Sequence, residues 1–420
     1  KGDKIDFDIN ISESEKFYIE KINIKGNFNT LEEVVRNNLI VDEGDPFNEI
    51  LFNKSVNNIQ SLGIFKNVTT DVRDGSNQSL KAIDIDVEER PTGEISLTAG
   101  FGTTGETIGA GIKENNFLGK GIKLNTNLEL TADSIKGQFI YAKPNFNYSD
   151  NTLFTSLKSS TTDLLTNSGY KTSEIGFSLG TEFEQFQNVF FSPEIDFLIE
   201  DLETSDKASN ILKKQEGSYT DLYFNYSINQ DLRDKKFRTE SGYLTTFSQE
   251  LPLVSDNAEL SNAFIITNYK KLSSTSDMVG KVSFFGKTIT GLSDDVRISK
   301  RLNVPASRLR GFQRGKVGPV ENNDYIGGNY VSSLNFSATL PNLVQGLDNL
   351  DVGVFVDSAN IWGVDYDSSI DDKSTLRSSA GVALNLMTPI GPLSFSFANA
   401  LSKASTDKTE TFRFNLGTQF

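Results

Sequence analysis

The last ten residues of the chain alternate between apolar and polar side chains. Residues 411–420 read TFRFNLGTQF, with Phe412, Phe414 and Leu416 at every second position. A period of two predicts a β-strand, whose successive side chains point to opposite faces. A strand with aromatic residues on one face and polar residues on the other suits a barrel wall between lipid and water. The last strand of a soluble β-sandwich is the alternative that this segment alone leaves open.

The composition is compatible with a membrane barrel but not with a bundle of membrane-spanning helices. Hydrophobic residues make up 37% of the chain and the mean hydropathy is -0.33. No segment approaches the ~18–20 apolar residues that a spanning helix needs, whereas a barrel strand needs an apolar residue only at every second position. The 31 Phe and 12 Tyr residues are numerous enough for aromatic girdles at both membrane interfaces.

Two residue types are missing, and their absence restricts the chemistry. The chain has no Cys and no His, so disulfides, thiolate metal sites and Ser-His or Cys-His catalytic pairs are excluded. A phospholipase barrel, which needs such a base, is disfavoured for the same reason. The net charge of -15 argues against nucleic acid as a partner. We therefore expect a protein that is not an enzyme and has no catalytic residue, cofactor or metal ion.

Residues 16–90 are predicted to form a small α/β domain with the order β-α-α-β-β. A capping box of Thr30 and Glu33 predicts a first helix over 31–39, and Asp45-Pro46 predicts the start of a second helix that ends near Leu62. Phe47, Leu51, Ile59 and Leu62 are expected to face inward on this second helix. Residues 1–15 are expected to be the end of a preceding domain of the same kind.

Residues 91–420 are predicted to form sixteen amphipathic antiparallel strands, an even number as in bacterial single-chain barrels. Short turns alternate with long connections, which fits periplasmic turns and external loops. The predicted strands cover 93–101, 104–115, 120–132, 134–143, 151–160, 170–183, 188–200, 217–229, 240–251, 259–270, 276–288, 326–340, 350–358, 375–386, 392–400 and 410–420.

The longest predicted connection carries the most specific motif, Arg308-Leu309-Arg310-Gly311-Phe312. An arginine beside a glycine and a phenylalanine indicates a loop tip buried in the barrel lumen, with the guanidinium paired to a wall carboxylate. Asp357 is the proposed partner, and Asp351 and the 365–372 acidic cluster are its rivals. A loop arginine in solvent is the remaining alternative.

Three motifs resemble the BamA superfamily of outer-membrane insertases and transporters. The segment 310–312 resembles its sixth-loop signature. Residues 355–359, FVDSA, resemble its Phe-x-Asp-x-Gly motif except that Ala359 replaces glycine. The hairpin 388–393, TPIGPL, and the terminal strand resemble the insertase branch rather than the TamA-like and two-partner secretion branches. Residues 16–90, with Gly26 and Gly63 after the first strand and second helix, resemble a POTRA domain.

This resemblance implies an outer-membrane protein insertase of the bacterial outer membrane with its POTRA domain in the periplasm. The implied partners are unfolded outer-membrane protein clients, accessory assembly lipoproteins and outer-membrane lipids. An exposed POTRA strand edge would accept a client strand, although the domain could also be a spacer. A polypeptide-translocating or TamA-like transporter is the alternative function.

The implied active region is a lateral gate between the first and last strands. The first strand is short and flanked by glycines, and a glycine within the last strand weakens pairing. Ordinary barrel closure by the same strands is equally compatible with the sequence. The residues assigned to the gate and to the C-terminal signal are Ile95, Leu97, Phe101, Phe412, Phe414, Leu416, Gly417 and Phe420.

The alternation of the last strand predicts that Phe414 faces lipid and Arg413 faces the lumen. Phe414→Arg is therefore expected to destabilise the barrel by roughly 2–4 kcal/mol if residue 414 lies near the bilayer midplane. Spin labels at 413 and 414 should differ in their accessibility to a lipid-soluble relaxation agent. Equal accessibility would refute the assigned faces.

Overall fold

The computed structural model describes residues 16–103, 105–236, 239–273, 278–341, 349–388 and 391–416. The chain divides into two compact units, one formed by residues up to 93 together with 113–123, and one formed by 94–112 and 124–420. The expected end of a preceding domain, residues 1–15, lies outside the described residues. Among the described helices, none has the length and apolar character required to cross a membrane.

The first unit contains a three-stranded sheet covered by two helices, in the predicted order β-α-α-β-β. The sheet order is β1-β3-β2, with β1 parallel to β3 and β2 antiparallel to it. The two outer strands of this sheet are therefore β1 and β2. The elements are β1 Tyr18–Lys25, α1 Glu32–Arg36, α2 Glu49–Ser61, β2 Phe65–Asp74 and β3 Leu80–Glu89.

Branched aliphatic residues of the sheet and both helices form the core of this unit. Ile22 and Ile83 project from β1 and β3, and Val35 and Ile59 project from α1 and α2; each is at most 1% exposed. Branched side chains suit strands because they pack well on a pleated surface. The core therefore joins all the layers of the domain.

The predicted capping box at the first helix is wrong. Leu31 is the N-cap of α1, without a side-chain hydrogen bond to the helix. Thr30 instead donates its backbone N–H to Glu89 Oε1 at 2.6 Å, and Asn29 donates to the same carboxylate. Partial burial opposes ionisation of Glu89, but these hydrogen bonds outweigh it and lower the pKa of Glu89. Glu89 of β3 therefore accepts the Thr30 N–H that the predicted capping box assigned to Glu33, and α1 has no side-chain cap.

The predicted start of the second helix is also wrong. Helix α2 begins at Glu49, because the Asn48 side chain accepts hydrogen bonds from the N–H groups of Ile50 and Leu51 at 3.0 and 3.2 Å. Pro46 forms a bridge with Tyr18 of β1 instead. Leu51, expected to face inward, is exposed and Phe52 lies in the core instead, whereas Phe47, Ile59 and Leu62 contact the core as predicted.

The second unit is a closed antiparallel barrel of sixteen strands, as predicted. The strand bounds lie within a few residues of the predicted ones over most of the chain. The barrel strands are β4 Gly93–Gly102, β5 Gly105–Phe117, β6 Ile122–Thr131, β7 Ser134–Lys143, β8 Thr152–Leu164, β9 Tyr170–Phe186, β10 Val189–Thr204, β11 Gly217–Asp231, β12 Gly242–Ser255, β13 Glu259–Lys271, β14 Val279–Gly291, β17 Tyr330–Pro341, β18 Leu350–Trp362, β19 Arg377–Thr388, β20 Gly391–Ser402 and β21 Phe412–Leu416.

The outer and inner faces of the barrel wall carry different side chains, as the alternation of apolar and polar residues predicts. On β10, Phe197 and Ile199 are exposed on the outer surface, whereas Leu198 and Glu200 are buried. Outward apolar side chains can stay exposed to lipid without cost, while inward polar side chains need partners inside the barrel.

Two of the long connections carry structure of their own. Residues 205–216 contain the short helix α3, Asn210–Lys213. Residues 292–329, which we call the inner loop, contain a small hairpin of β15 Val320–Glu321 and β16 Asp324–Tyr325. The inner loop supplies the partners for the inward polar side chains.

The core of the first unit can be tested with one buried and one exposed isoleucine on the same helix. Ile59 is 0% and Ile50 is 79% exposed. Ile59→Ala should destabilise this unit by about 2–5 kcal/mol, whereas Ile50→Ala should have little effect. Hydrogen exchange of the β1 and β3 amides in the whole chain measures the difference. Equal exchange in both variants would contradict this packing.

Candidate functional site: the inner loop and the seam of the barrel

The inner loop is packed against the inward face of the barrel wall. Phe312 and Leu309 of the loop are 1% and 2% exposed and belong to one apolar cluster. That cluster also contains Phe285 of β14, Val331 of β17 and Ile361 of β18. The loop tip is therefore buried inside the barrel and is not free in solvent.

Arg310 of the inner loop contacts Asp357 of β18 through both ends of its guanidinium. Its Nε and Nη2 donate to Asp357 Oδ2 and Oδ1 at 2.7 and 2.8 Å, and its backbone N–H donates to Oδ2 at 3.1 Å. Asn335 Nδ2 donates to the same carboxylate at 2.9 Å, and the guanidinium carbon lies 3.3 Å from the centre of the Phe355 ring. Asp357 is completely buried, so it depends on these donors.

Gly311 is required where the loop approaches the wall. Its φ is +86°, and a Cβ there would lie 3.1 Å from the Ala398 Cβ and 3.3 Å from the Ser379 Cβ. Ser379 Oγ also donates to the Arg310 carbonyl at 2.5 Å. The Arg-Gly-Phe motif therefore supplies an ion pair, a close backbone approach and an apolar anchor in three successive residues.

The rivals proposed for Arg310 have other contacts. Asp365 pairs with Arg301 and accepts a hydrogen bond from Asn329 at 2.9 Å. Asp372 accepts from the backbone N–H of Val364. Ala359, which stands where the family motif has glycine, is 1% exposed and packs in the same apolar cluster as Phe312.

Sequence reasoning missed a second charged cluster at the base of the inner loop. Arg297 is completely buried and contacts Glu200 of β10, Asp221 of β11 and Glu259 of β13, at 3.2, 2.7 and 3.0 Å. Lys300 approaches Glu200 as well, at 3.3 Å. The three carboxylates occupy inward positions of predicted strands, which is the signal that could have identified them.

Two arginines of the last strands were also missed as contact residues. Arg377 of β19 donates to Asp407 at 2.9 Å. Arg413, placed in the lumen by the alternation, donates to the carbonyls of Ala306 and Phe312 in the inner loop at 2.6 and 2.7 Å. The inner loop is thus bound to the wall by the Arg297, Arg310 and Arg413 contacts.

The seam between the last and first strands, β21 and β4, contains several of the predicted gate residues. Among the described residues, Asn415 pairs with Gly102 and Leu416 with Phe101, and Thr103 donates its N–H to the Phe414 carbonyl at 3.0 Å. Gly417 and Phe420 lie outside the described residues, as do residues 389–390 of the TPIGPL hairpin.

The outward gate residues lie on the expected face. Ile95, Leu97 and Phe101 of β4 are exposed, and so is Phe412 of β21. Phe414 is half-buried, because its ring packs against Phe101 and Phe395. Leu416 is also half-buried.

The family is decided by comparison with known proteins. A family model described as the Omp85 superfamily domain matches residues 116–420, which is most of the chain. The chain belongs to the Omp85 superfamily. A second model, the POTRA surface antigen variable number repeat, matches residues 17–90. The barrel lies in the outer membrane and the POTRA domain in the periplasm.

Curated relatives match along nearly the whole chain. The outer membrane protein assembly factor BamA of Neisseria meningitidis is 26% identical over 99% of this chain and 58% of its own length. BamA of Neorickettsia risticii is 24% identical over 99% of this chain and 57% of its own length. The chain therefore spans a little over half the length of these relatives.

A solved structure of this family has the same fold. BamA from Haemophilus ducreyi lacking POTRA domains 1–3 has a TM-score of 0.80 at 23% identity, covering 96% of this chain and 85% of that one. CdiB from Acinetobacter baumannii is more distant, with a TM-score of 0.56 at 12% identity, covering 96% of this chain and 74% of its own. The resemblance stated from the loop and hairpin motifs is confirmed.

The ion pair of the inner loop predicts a specific loss of stability. Arg310→Ala leaves the buried Asp357 without its cation, which should cost about 3 kcal/mol, the lower end of the range for buried pairs, since Arg310 is itself partly exposed. Arg233→Ala is the matched control, because its partner Asp231 is 32% exposed whereas Asp357 is completely buried, and it should cost less than about 1 kcal/mol. Urea unfolding can be followed by the fluorescence of Trp362, the only tryptophan. An equal loss in both variants would contradict the burial of the pair.

Proposed function

We propose that this chain is the membrane part of an outer-membrane protein insertase, which catalyses the folding and insertion of β-barrel proteins through a lateral gate between β4 and β21. The clients are unfolded outer-membrane proteins, and accessory assembly lipoproteins and outer-membrane lipids are further partners. No covalent step is needed, so the protein is not an enzyme in the chemical sense.

The physical need for such a protein is the cost of an unpaired strand edge in lipid. Each backbone N–H or C=O group without a hydrogen bond costs several kcal/mol in hydrocarbon. A barrel whose seam opens can pair its own strand edge with an entering client strand. The backbone N–H and C=O groups of the client are then hydrogen-bonded until the client has closed into a barrel. The seam would therefore lower the barrier to insertion.

The observation that carries this proposal is the weak attachment of β4 at the seam. Among the described residues, β4 and β21 share two residue pairs, Gly102–Asn415 and Phe101–Leu416, whereas β7 and β8 share ten. A junction with few backbone hydrogen bonds separates at a lower cost than one that is paired along its length.

The POTRA domain supports the same function through its strand edges. In the order β1-β3-β2, the outer edge of β2 has no partner among the described strands, whereas the outer edge of β1 is partly occupied by residues 44–47, through the Tyr18–Pro46 bridge and the bond from the Ile19 N–H to the Asp45 carbonyl. Such an edge can add a client or partner strand by main-chain hydrogen bonding. This would deliver extended polypeptide on the periplasmic side.

A polypeptide-translocating pore is the other candidate. The fold shared with CdiB favours it only at the level of architecture. A pore would require the inner loop to leave the lumen, and with it the buried contacts of Arg297, Arg310 and Phe312. Those contacts make the insertase the better proposal.

The gate can be tested by a disulfide across the seam. Leu416 lies opposite Phe101, so Phe101→Cys with Leu416→Cys places the two thiols on directly paired residues; position 97 is not paired with position 416 and is therefore not used. The oxidised barrel should lose insertion of a client barrel into liposomes and recover it on reduction. No native cysteine interferes.

The control is a disulfide between two strands that stay paired in this proposal. Leu386 of β19 faces Leu393 of β20, so Leu386→Cys with Leu393→Cys should leave insertion unchanged in both redox states. If the seam-locked protein inserts clients as fast as the control, the seam is not the gate. Passage of polypeptide through the locked barrel would then favour the pore.

A further inference from the structure

Arg308 stands two residues before Arg310 in the loop motif but has no acidic partner among the described residues. Its Nη1 donates to Ser283 Oγ of β14 at 3.2 Å, and its guanidinium carbon lies 4.7 Å from the centre of the Phe285 ring. Its backbone carbonyl accepts a hydrogen bond from Asn335 Nδ2 at 2.7 Å. These contacts hold the guanidinium against the inward face of β14, and its Nε and Nη2 have no acceptor in the part of the chain that is described.

Lys281 lies on the same inward face of β14, two residues before Ser283 and thus roughly 7 Å from it along the strand. Its side chain is exposed to water, and its Nζ lies 5.7 Å from the centre of the Tyr269 ring. No carboxylate contacts this ammonium within the residues that the structure describes. Lys158, another inward lysine, instead contacts Asp196 at 2.7 Å. Lys281 is therefore an inward cation without a described acidic partner.

The register of the wall places Ser337 between Lys281 and Arg310. Ser337 of β17 pairs with Lys281 on one side and with Phe355 of β18 on the other. The Arg310 guanidinium lies on the Phe355 ring, with its carbon 3.3 Å from the ring centre. Its Nε and Nη2 bind Asp357, whereas its Nη1 has no acceptor among the described side chains and carbonyls. The space above Ser337 is therefore bordered by N–H donors on two sides.

The charges around this space do not balance. Arg308 and Arg310 repel the Lys281 ammonium, and Asp357 attracts it. Asp357 is already bound to Arg310, so the charges of Lys281 and Arg308 are not compensated by it. Fixed charges of one sign in a confined cleft raise the local concentration of the opposite ion. The oxygens that suit ammonium and guanidinium donors are those of a carboxylate or a phosphate.

The space lies on the periplasmic side of the loop tip. Strand β14 is the eleventh strand of an antiparallel barrel, so it runs in the same direction as β4, the first strand. Since β4 follows the periplasmic POTRA domain in the chain, Lys281, near the start of β14, lies toward the periplasmic end of the lumen. The inner loop leaves β14 at the opposite end, after Gly291. A ligand would therefore reach this space from the periplasm.

We propose that Lys281, Arg308 and the Nη1 of Arg310 form an oxyanion site in the barrel lumen. The ligand is a carboxylate or phosphate group that enters from the periplasmic end, either as a free ion or as an acidic side chain of a polypeptide. A phospholipid does not fit, because its acyl chains would have to leave the bilayer for a polar lumen. The site goes beyond the proposed function, since it requires no opening of the seam.

The first arm of the test measures binding of inorganic phosphate to the whole chain in detergent micelles, by the broadening of the phosphorus NMR line. Phosphate replaces chloride at constant ionic strength, so that general screening of the protein stays the same. Lys281→Gln and Arg308→Gln each remove one charge of the site. Lys136→Gln is the matched control, because Lys136 is an exposed lysine of the inner wall on β7, where it pairs with Ser160.

The parent should broaden the phosphate line in a saturable manner. Lys281→Gln and Arg308→Gln should each weaken binding by about tenfold, the loss of one charge-assisted hydrogen bond, and Lys136→Gln should leave binding unchanged. Equal binding by the parent and Lys281→Gln, or an equal loss in Lys136→Gln, overturns the proposal, because the cations are then only hydrated. Lys281 is exposed, so its replacement should not unfold the barrel, and heat-modifiable gel mobility checks this for every variant.

The second arm distinguishes the two sources of the oxyanion. A fluorescent acidic peptide with an amidated C-terminus is compared, by fluorescence anisotropy, with the same peptide in which glutamine replaces each glutamate. Binding of the acidic peptide alone, competed by phosphate and weakened in Lys281→Gln, supports the site with a polypeptide carboxylate as its ligand. Phosphate binding without peptide binding supports the site with a free oxyanion as its ligand. Neither result depends on client insertion, so the proposed function stands or falls by its own assay.

Discussion

A carboxylate that points into the barrel cannot remain alone, and the structure of the second unit follows from this constraint. Isolating an ionised group from water costs far more than any single packing contact returns. The wall directs Glu200, Asp221, Glu259 and Asp357 inward, each with little or no exposure to solvent. The inner loop supplies the guanidiniums that neutralise them, so the wall and the loop each depend on the other for stability.

This dependence explains why a long connection is packed inside the barrel. A loop held by Arg297 at its base and by Arg310 at its tip cannot move into solvent without leaving buried acids behind. Phe312 adds an apolar anchor among wall side chains. The lumen is therefore a packed region over the length of the loop, which favours a function at the seam over transport through the barrel.

The same contacts distinguish the two strands that meet at the seam. Strand β21 receives the inner loop through Arg413, whereas β4 presents glycine, serine and threonine inward. If the seam opens as proposed, these small inward residues leave no buried charge behind when the two strands part. On one side of the seam, Arg413 binds the inner loop; on the other side, Gly102 has no side chain that could do so.

The alternation of apolar and polar residues determined the sixteen strands and the facing of their side chains, because the side-chain period of a strand is a local property. The Arg-Gly-Phe motif and a single well-placed acid likewise pointed to Arg310 and Asp357. Only the tertiary structure decided the contacts of Arg297, since its three acids come from strands distant in sequence. It also decided the segment before α1, where Glu89, 59 residues away, accepts the Thr30 N–H in place of Glu33. Such contacts join charged residues to partners that are far away in the sequence, and the spacing of neighbouring residues does not predict them.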